Sequence, residues 1–335
     1  MSEHEALLAA VADAVRAPSI FNTQPWQWAV EPWGLTLFAD PSRQLAVVDP
    51  GANLLRLSCG AALHHARVSL AAAGWAVEVD RRDDGRPLLA RVELVGPVAP
   101  DPEAVLLREG IARRRTDRRP FTDEPVPPDV LAALVDAAQA EGVGLHRVRL
   151  DQMPMLAVAV AAAGATELAN HRYRIELIQW TNRPEWSHDG VPPETTVRHG
   201  PRRVPVRDFA PPSAKLASNA HQVVPEQGLP VSEGGDRGAA YVILHGPGER
   251  GRDWLRAGEA LSAVLLTAQR YGLATAPFSD VLEVDHPRDL VRGLLPGPSH
   301  PYIVIRCGYQ GSEEPIPIAP RRGVDEVLRE AVETP

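Results

Sequence analysis

Twice in this chain a long helical stretch runs into a glycine that opens an apolar, strand-like segment: Ala72-Ala73-Gly74-Trp75 and Arg270-Tyr271-Gly272-Leu273. Glycine just past a helix takes the left-handed conformation that ends it. Upstream of the first, Leu55, Cys59, Leu63 and Leu70 fall on one helical face. Upstream of the second, Asp253–Tyr271 is again helical in pattern. The echo hints at a duplicated unit, with helices and strands mixed through two unequal halves divided near residue 100. The 335 residues suit two domains or one large pseudo-symmetric one.

Ser2 and Glu5 form a capping box for a first helix running to about Arg16. Trp26–Val30 and Leu35–Ala39 are expected as strands around the turn Glu31-Pro32-Trp33-Gly34. Further strands are expected near Trp75–Val79, Leu88–Val95, Val143–Leu150, Ala240–Leu244 and Tyr302–Arg306. Helices are expected over Pro102–Arg119, Asp129–Ala140, Met153–Thr181 and Val324–Val332, with Pro315–Arg322 as an extended tail. The stretch 184–235 has nine prolines in 52 residues and no periodicity. An insertion of that length is usually a functional lid or a linker.

Acidic residues outnumber basic ones 43 to 35, for a net charge of −8, which argues against a chain-wide nucleic-acid footprint. The two cysteines, Cys59 and Cys307, form no metal or disulfide pattern. The acidic start Met1-Ser2-Glu3-His4-Glu5 does not resemble a signal peptide. The longest apolar run, 154–165, is well short of the about 20 residues a membrane span needs. A soluble cytoplasmic protein is expected, with no membrane or nucleic-acid partner and no metal.

Two segments carry possible chemistry. Ala17-Pro18-Ser19-Ile20-Phe21-Asn22-Thr23-Gln24-Pro25-Trp26 gathers hydroxyl, amide and indole groups in a loop. It is either a turn before a core tryptophan or a cradle for a planar heteroaromatic ring. Arg113-Arg114-Arg115-Thr116-Asp117-Arg118-Arg119 places five arginines in seven residues. It is either a solvated charge run or an anion site, since guanidinium forks match phosphate oxygens. Gly246-Pro247-Gly248-Glu249-Arg250-Gly251 fits GxGxxG but lacks the acidic residue that a dinucleotide fold needs about 20 positions on. His64 and His65 are adjacent on a helix, point about 100° apart and make a poor chelating pair.

Pro18-Ser19-x-x-Asn22-x-Gln24-Pro25-Trp26 and Arg114-Arg115-Thr116-x-Arg118-x-x-Phe121 together resemble the two signatures of the FMN-dependent nitroreductase superfamily. The fuller string from Arg16 to Trp26, with Asp189-Gly190-Val191-Pro192 and Gly272-Leu273-Ala274-Thr275, resembles the Acg family of nitroreductase-like flavoproteins across essentially the whole chain. The resemblance implies an α+β nitroreductase-like fold, with halves 1–100 and 101–335 forming a pseudo-dimer and 184–235 inserted as a lid. In ordinary nitroreductases the arginine motif precedes the Pro-Ser-Asn-Gln-Pro-Trp motif; here the order is reversed and each occurs once, which implies one complete site in a monomer.

By the same resemblance Arg114, Arg115 and Thr116, with Arg321 and Arg322 from the tail, would hold the FMN phosphate and ribityl chain. Arg118 would sit near N1 and O2 of the ring, where a cation stabilises the reduced anion. Pro18, Ser19, Asn22 and Gln24 would approach the ring from the first half, and Gly272, Leu273, Ala274, Thr275, Ala276 and Pro277 would lie near N5. Phe21 departs from the family, which often has His there. The implied activity is NAD(P)H-driven, ping-pong reduction of a small electron acceptor, the flavin N5 carrying the chemistry without a protein nucleophile. The alternative is a flavin-sequestering protein with an occluded FMN and little turnover.

Overall fold

Ser2 opens α1 (Glu3–Ala14) as a capping box, its hydroxyl accepting from Glu5 N while the Glu5 carboxylate accepts from Ser2 N. The structure is a computed structural model that describes residues 1–82, 85–184, 186–197, 229 and 235–329. After α1 come β1 (Trp26–Glu31), β2 (Gly34–Ala39), α2 (Asn53–Ala72), β3 (Trp75–Arg81) and β4 (Leu88–Pro97). Then follow α3 (Pro102–Arg113), α4 (Pro128–Ala140), β5 (Gly144–Arg147), α5 (Met153–Ala169) and α6 (His171–Thr181). The chain continues with β6 (Ala240–Gly246), α7 (Gly251–Arg270), β7 (Ala274–Phe278), α8 (Asp280–Glu283), α9 (Asp285–Arg292), β8 (His300–Gly308) and α10 (Val324–Val327).

The class is α+β. Among the described residues eight strands make two antiparallel sheets, ordered β1-β2-β4-β3 and β5-β6-β8-β7. One connectivity therefore occurs twice, with a 20-residue helix between the second and third strands each time. Gly74 and Gly272 end those helices at φ of 81° and 73°, a conformation that costs glycine little. The buried apolar side chains fall mainly into two cores. One is built almost wholly from residues 6–92, with Leu255 and Val327 added. The other runs from Val126 to Cys307 and takes in Phe21, Leu45, Val48, Leu54 and Leu57.

Where α2 meets α7 there is no room for a side chain. A Cβ on Gly60 would stand 1.9 Å from Leu255 O, and one on Gly258 would stand 1.9 Å from Leu57 O. The offset relating these pairs is the 198 residues that separate His64 from Ser262, whose Nδ1 and Oγ lie 2.9 Å apart. Beside the crossing, Glu259 of α7 is wholly buried. It accepts from Arg67 Nη1 at 2.7 Å and from Arg81 Nε and Nη2 at 2.6 and 2.8 Å. Arg67 Nη1 also donates to Glu141 at 2.7 Å.

Three elements differ from expectation. The helix expected over 102–119 ends at Arg113, because Arg114 turns to ψ 128° and the chain runs extended to bridge Thr116 to Thr275 of β7. The helix expected over 153–181 breaks into α5 and α6, bent by 94°, at Asn170, whose side chain caps α6 by accepting from Arg172 N and Tyr173 N. The last helix is α10; residues 330–335 are outside the described set. No single helix among the described residues is long and apolar enough to cross a membrane.

Candidate functional site

The loop after α1 holds three non-glycine residues in the left-handed region: Phe21, Asn22 and Gln24, at φ of 50°, 54° and 51°. Such conformations cost about 1–3 kcal/mol each and survive only where surroundings enforce them. Here side chains do so. Ser19 Oγ accepts from Gln24 N at 2.9 Å. Asn22 Nδ2 donates to Gly190 O and Pro320 O, both at 3.0 Å, and Asn22 Oδ1 accepts from Arg321 Nη1 at 2.9 Å. Gln24 Nε2 donates to His188 O at 2.7 Å, and its Oε1 accepts from Arg322 N at 2.8 Å. The loop thus binds together the start of the Pro-rich stretch and the C-terminal tail.

These three segments surround a cavity of about 660 Å³. Of the residues expected at a site, Pro18, Ser19, Asn22, Arg114, Arg115, Thr116, Arg118, Ala276, Pro277, Arg321 and Arg322 line it. Gln24 does not: it is fully buried behind the wall. Gly272, Leu273, Ala274 and Thr275 also stay out of the lining; Thr275 instead pairs with Thr116 and accepts from Asp117 N at 2.9 Å. The sequence reading omitted Arg16, Phe21, Ser279 and the tail residues 316–319, all of which line the cavity. The alternating Pro-Ile-Pro-Ile of that tail was the available signal, since prolines hold a strand-like segment open without a sheet partner.

The five clustered arginines part company. Arg119, 1% exposed, grips Asp117 through Nε and Nη2 at 2.9 and 2.8 Å and donates Nη1 to Glu314 O. Arg113 stays on the surface beside Glu109. Arg118 Nη1 donates to Thr195 O at 2.9 Å, and Arg115 Nη1 donates to Ala112 O and Arg114 O. Arg114 is the unusual one. It is 5% exposed, and its Nε and Nη1 have no hydrogen-bond partner. Burial, then the charge of Arg115, pushes its pKa down to about 10. Arg321 is pushed down to about 9 by burial and then by Arg114, Arg115 and Arg16, and its Nε is also unpartnered. Arg322 is more fully engaged: both its terminal nitrogens donate, to Gln24 O, Trp26 O and Glu326 O, leaving only its Nε without a partner.

A buried and a half-buried guanidinium, each with a shielded N–H that has no partner, line one cavity, a chemistry that suits an anion. No carboxylate pairs with either among the described residues. His64 and His65 lie outside the lining and are held neutral, their pKa values lowered by burial, that of His64 to about 3. The GxGxxG turn also stays outside it, with Asp253 accepting from Arg250 N at the start of α7.

No family model matches the chain. Two Mycobacterium tuberculosis proteins, each named "Putative NAD(P)H nitroreductase", match nearly all of it. Rv3131 is 40% identical over 94% of this chain and 88% of its own length. The one named acg is 36% identical over 97% and 95%. The chain belongs to the Acg family of nitroreductase-like proteins. The solved FMN- and NADPH-dependent nitroreductase NfnB from Sphigopyxis sp. strain HMH overlaps 68% of this Acg-family chain and 99% of its own, at 22% identity and a TM-score of 0.39. Within the family, the stretch expected as a lid over 184–235 lies largely outside the described residues; of its described part, Gly190, Val191, Pro192 and Thr195 line the cavity.

Proposed function

We propose that this chain is an FMN-dependent oxidoreductase of nitroreductase type, taking reducing equivalents from NAD(P)H and delivering them to a small electron acceptor in a ping-pong sequence. The observation that carries this is the pair of cavity-lining arginines without a counter-charge among the described residues: Arg114, which is buried, and Arg321, which is half-buried with its Nε shielded from solvent. Their bare N–H groups fit a phosphate monoester. The names of the mycobacterial relatives supply the donor class.

In this proposal Arg114, Arg321 and the Thr116 hydroxyl hold the phosphate, with Arg115 beside them. Pro18, Ser19 and Asn22 meet the ring from one half of the chain, and Ala276 and Pro277 from the other. Arg118 sets a positive charge on the wall that stabilises negative charge on a reduced ring. Gln24 and Arg322 act indirectly, holding loop and tail together. FMN, when bound, supplies the hydride-accepting centre, so no nucleophilic side chain is required.

The halves 1–100 and 101–335 serve, in the same proposal, as the two subunits of an internal pseudo-dimer with one site, in a cytoplasmic monomer. The repeated strand order and the reciprocal glycine contacts support it. So does the fate of the second position. The 198-residue offset carries Ser279, on the cavity wall, onto Arg81, and Arg81 is locked onto buried Glu259.

A second function, storage of an occluded flavin with little turnover, is favoured by Gly190, Val191, Pro192 and Thr195 and by residues 316–319, which add two further segments to the cavity lining. One experiment decides. The purified protein should show a flavin spectrum that bleaches when NAD(P)H is added anaerobically and returns with a nitroaromatic or quinone. A flavin spectrum that never bleaches establishes storage; a colourless protein that takes up no FMN refutes both.

A further inference from the structure

Arg16 is the cation at the cavity to which the function above gives no duty. It follows the C-cap of α1, its own N–H donating to Asp13 O at 3.1 Å. Its side chain is exposed yet lines the cavity, and among the described residues no carboxylate or carbonyl engages its guanidinium. It lines the same cavity as Arg114 and Arg321, and its charge acts on both Arg115 and Arg321. Its neighbours are constrained: Arg114 is buried, Arg321 is half-buried and held by Asn22 Oδ1, Ala319 O and Pro320 O, and Arg115 is pinned to two carbonyls. Arg16 is the one whose head lies in water on a long, unrestrained stem.

We propose that Arg16 is the outer clamp of the phosphate site, folding over a phosphate monoester once that group has seated on Arg114 and Arg321. The inner pair comes from the second half of the chain and the clamp from the first. The identification of the phosphate as that of FMN rests on the function proposed above; the clamp itself does not. Without an anion Arg16 has no reason to fold inward, because the like charges of Arg115 and Arg321 repel it. A seated dianion reverses the sign of the local field. Since the clamp works at a wet rim, its effect is modest and weakened by salt.

The test compares wild-type, Arg16→Gln and Arg16→Lys full-length chains loaded with FMN and, in parallel, with riboflavin, which lacks the phosphate. Release on dilution is followed by flavin fluorescence at low and high salt. Arg16→Gln should release FMN about five- to tenfold faster at low salt, corresponding to roughly 1 kcal/mol. High salt should shrink the difference, riboflavin release should not change, and Arg16→Lys should restore most of the retention. Unchanged FMN release overturns the clamp. Equal acceleration of both flavins overturns it too, since that is a distorted loop. A change confined to the KM for NADPH relative to NADH overturns it in favour of a phosphate on the second ligand. Should the wild type take up neither flavin, the flavin assignment fails and the clamp is tested by thermal stabilisation with inorganic phosphate. Greater stabilisation of wild type than of Arg16→Gln upholds it; equal stabilisation overturns it.

Discussion

Half-buried Arg321 stands in the field of buried Arg114, and no carboxylate among the described residues relieves either charge. An unpaired charge withdrawn from water is costly, and a bound anion would offset that cost. The pair is thus a cost to the empty protein and a gain to the loaded one.

Replacing both residues, Arg114→Met with Arg321→Met, should separate those two effects. Each lost charge-assisted bond to phosphate is worth about 1.5–3 kcal/mol, so FMN binding should weaken by roughly two to four decades. The unliganded double variant should melt higher than the unliganded wild type. Fluorescence titration and calorimetry read the two outcomes; a yellow double variant with unchanged affinity would show that the phosphate sits elsewhere.

The same pair predicts a pH dependence. Both folded-state pKa values lie below the ordinary arginine value, at about 10 and about 9. The charged forms therefore destabilise the unliganded fold by their full amount below about pH 9, and that penalty begins to fade as pH rises through 9 and 10 and keeps fading up to the ordinary arginine value. Phosphate needs the charged forms, so FMN affinity should fall above about pH 9 while riboflavin affinity does not. Parallel slopes for the two flavins would exclude titration of these arginines.

Gly60→Ala should lower the melting temperature, since its Cβ would stand 1.9 Å from a backbone oxygen and the helices would have to part. Overpacking of this kind costs about 1–3 kcal/mol or more. Gly164→Ala, in α5 with nothing within 4 Å of the new methyl, should be neutral or stabilising by up to about 1 kcal/mol. Denaturant titration of the two variants tests the contrast.

Within the arginine cluster, Arg119→Ala should cost about 3–5 kcal/mol by leaving buried Asp117 unpaired. Arg113→Ala should fall within about 0.5 kcal/mol of wild type, because its partner Glu109 is exposed. Equal losses would mean that the cluster acts as one charged surface.

Heat release of flavin, quantified against protein, should give one FMN per chain. The position related to the cavity wall by the 198-residue offset is held by Arg81 on Glu259, with Arg67 and Glu141 completing the network. A ratio near two would overturn the single-site assignment.

Most elements were legible because their signals are local. The box of Ser2 and Glu5 and the glycines after α2 and α7 need no knowledge of distant chain. The end of α3 was not legible, since neither glycine nor proline follows Arg113 and the stop comes from Thr116 pairing with β7, far along the sequence. Asn170 is a readable N-cap, masked because neither glycine nor proline separates the helical stretches on its two sides. At the site, sequence could say that the arginines attract anions but not which of them face a cavity. Arg119 is withdrawn by Asp117 two residues away and Arg322 by Gln24 across the molecule. Gln24 carries the polarity expected of a ligand contact, yet its amide is consumed by the backbone of the tail.

The bond between Asn22 and Arg321 spans 299 positions of sequence. A ribosome delivers Asn22 well before Arg321, with every element from β1 to β8 synthesised between them. A chain cut between the two cannot assemble this side of the cavity, and the strained loop waits through synthesis for the segment that holds it. The cavity is therefore a late product of translation: a chain truncated before residue 321 would carry the loop with nothing to brace it.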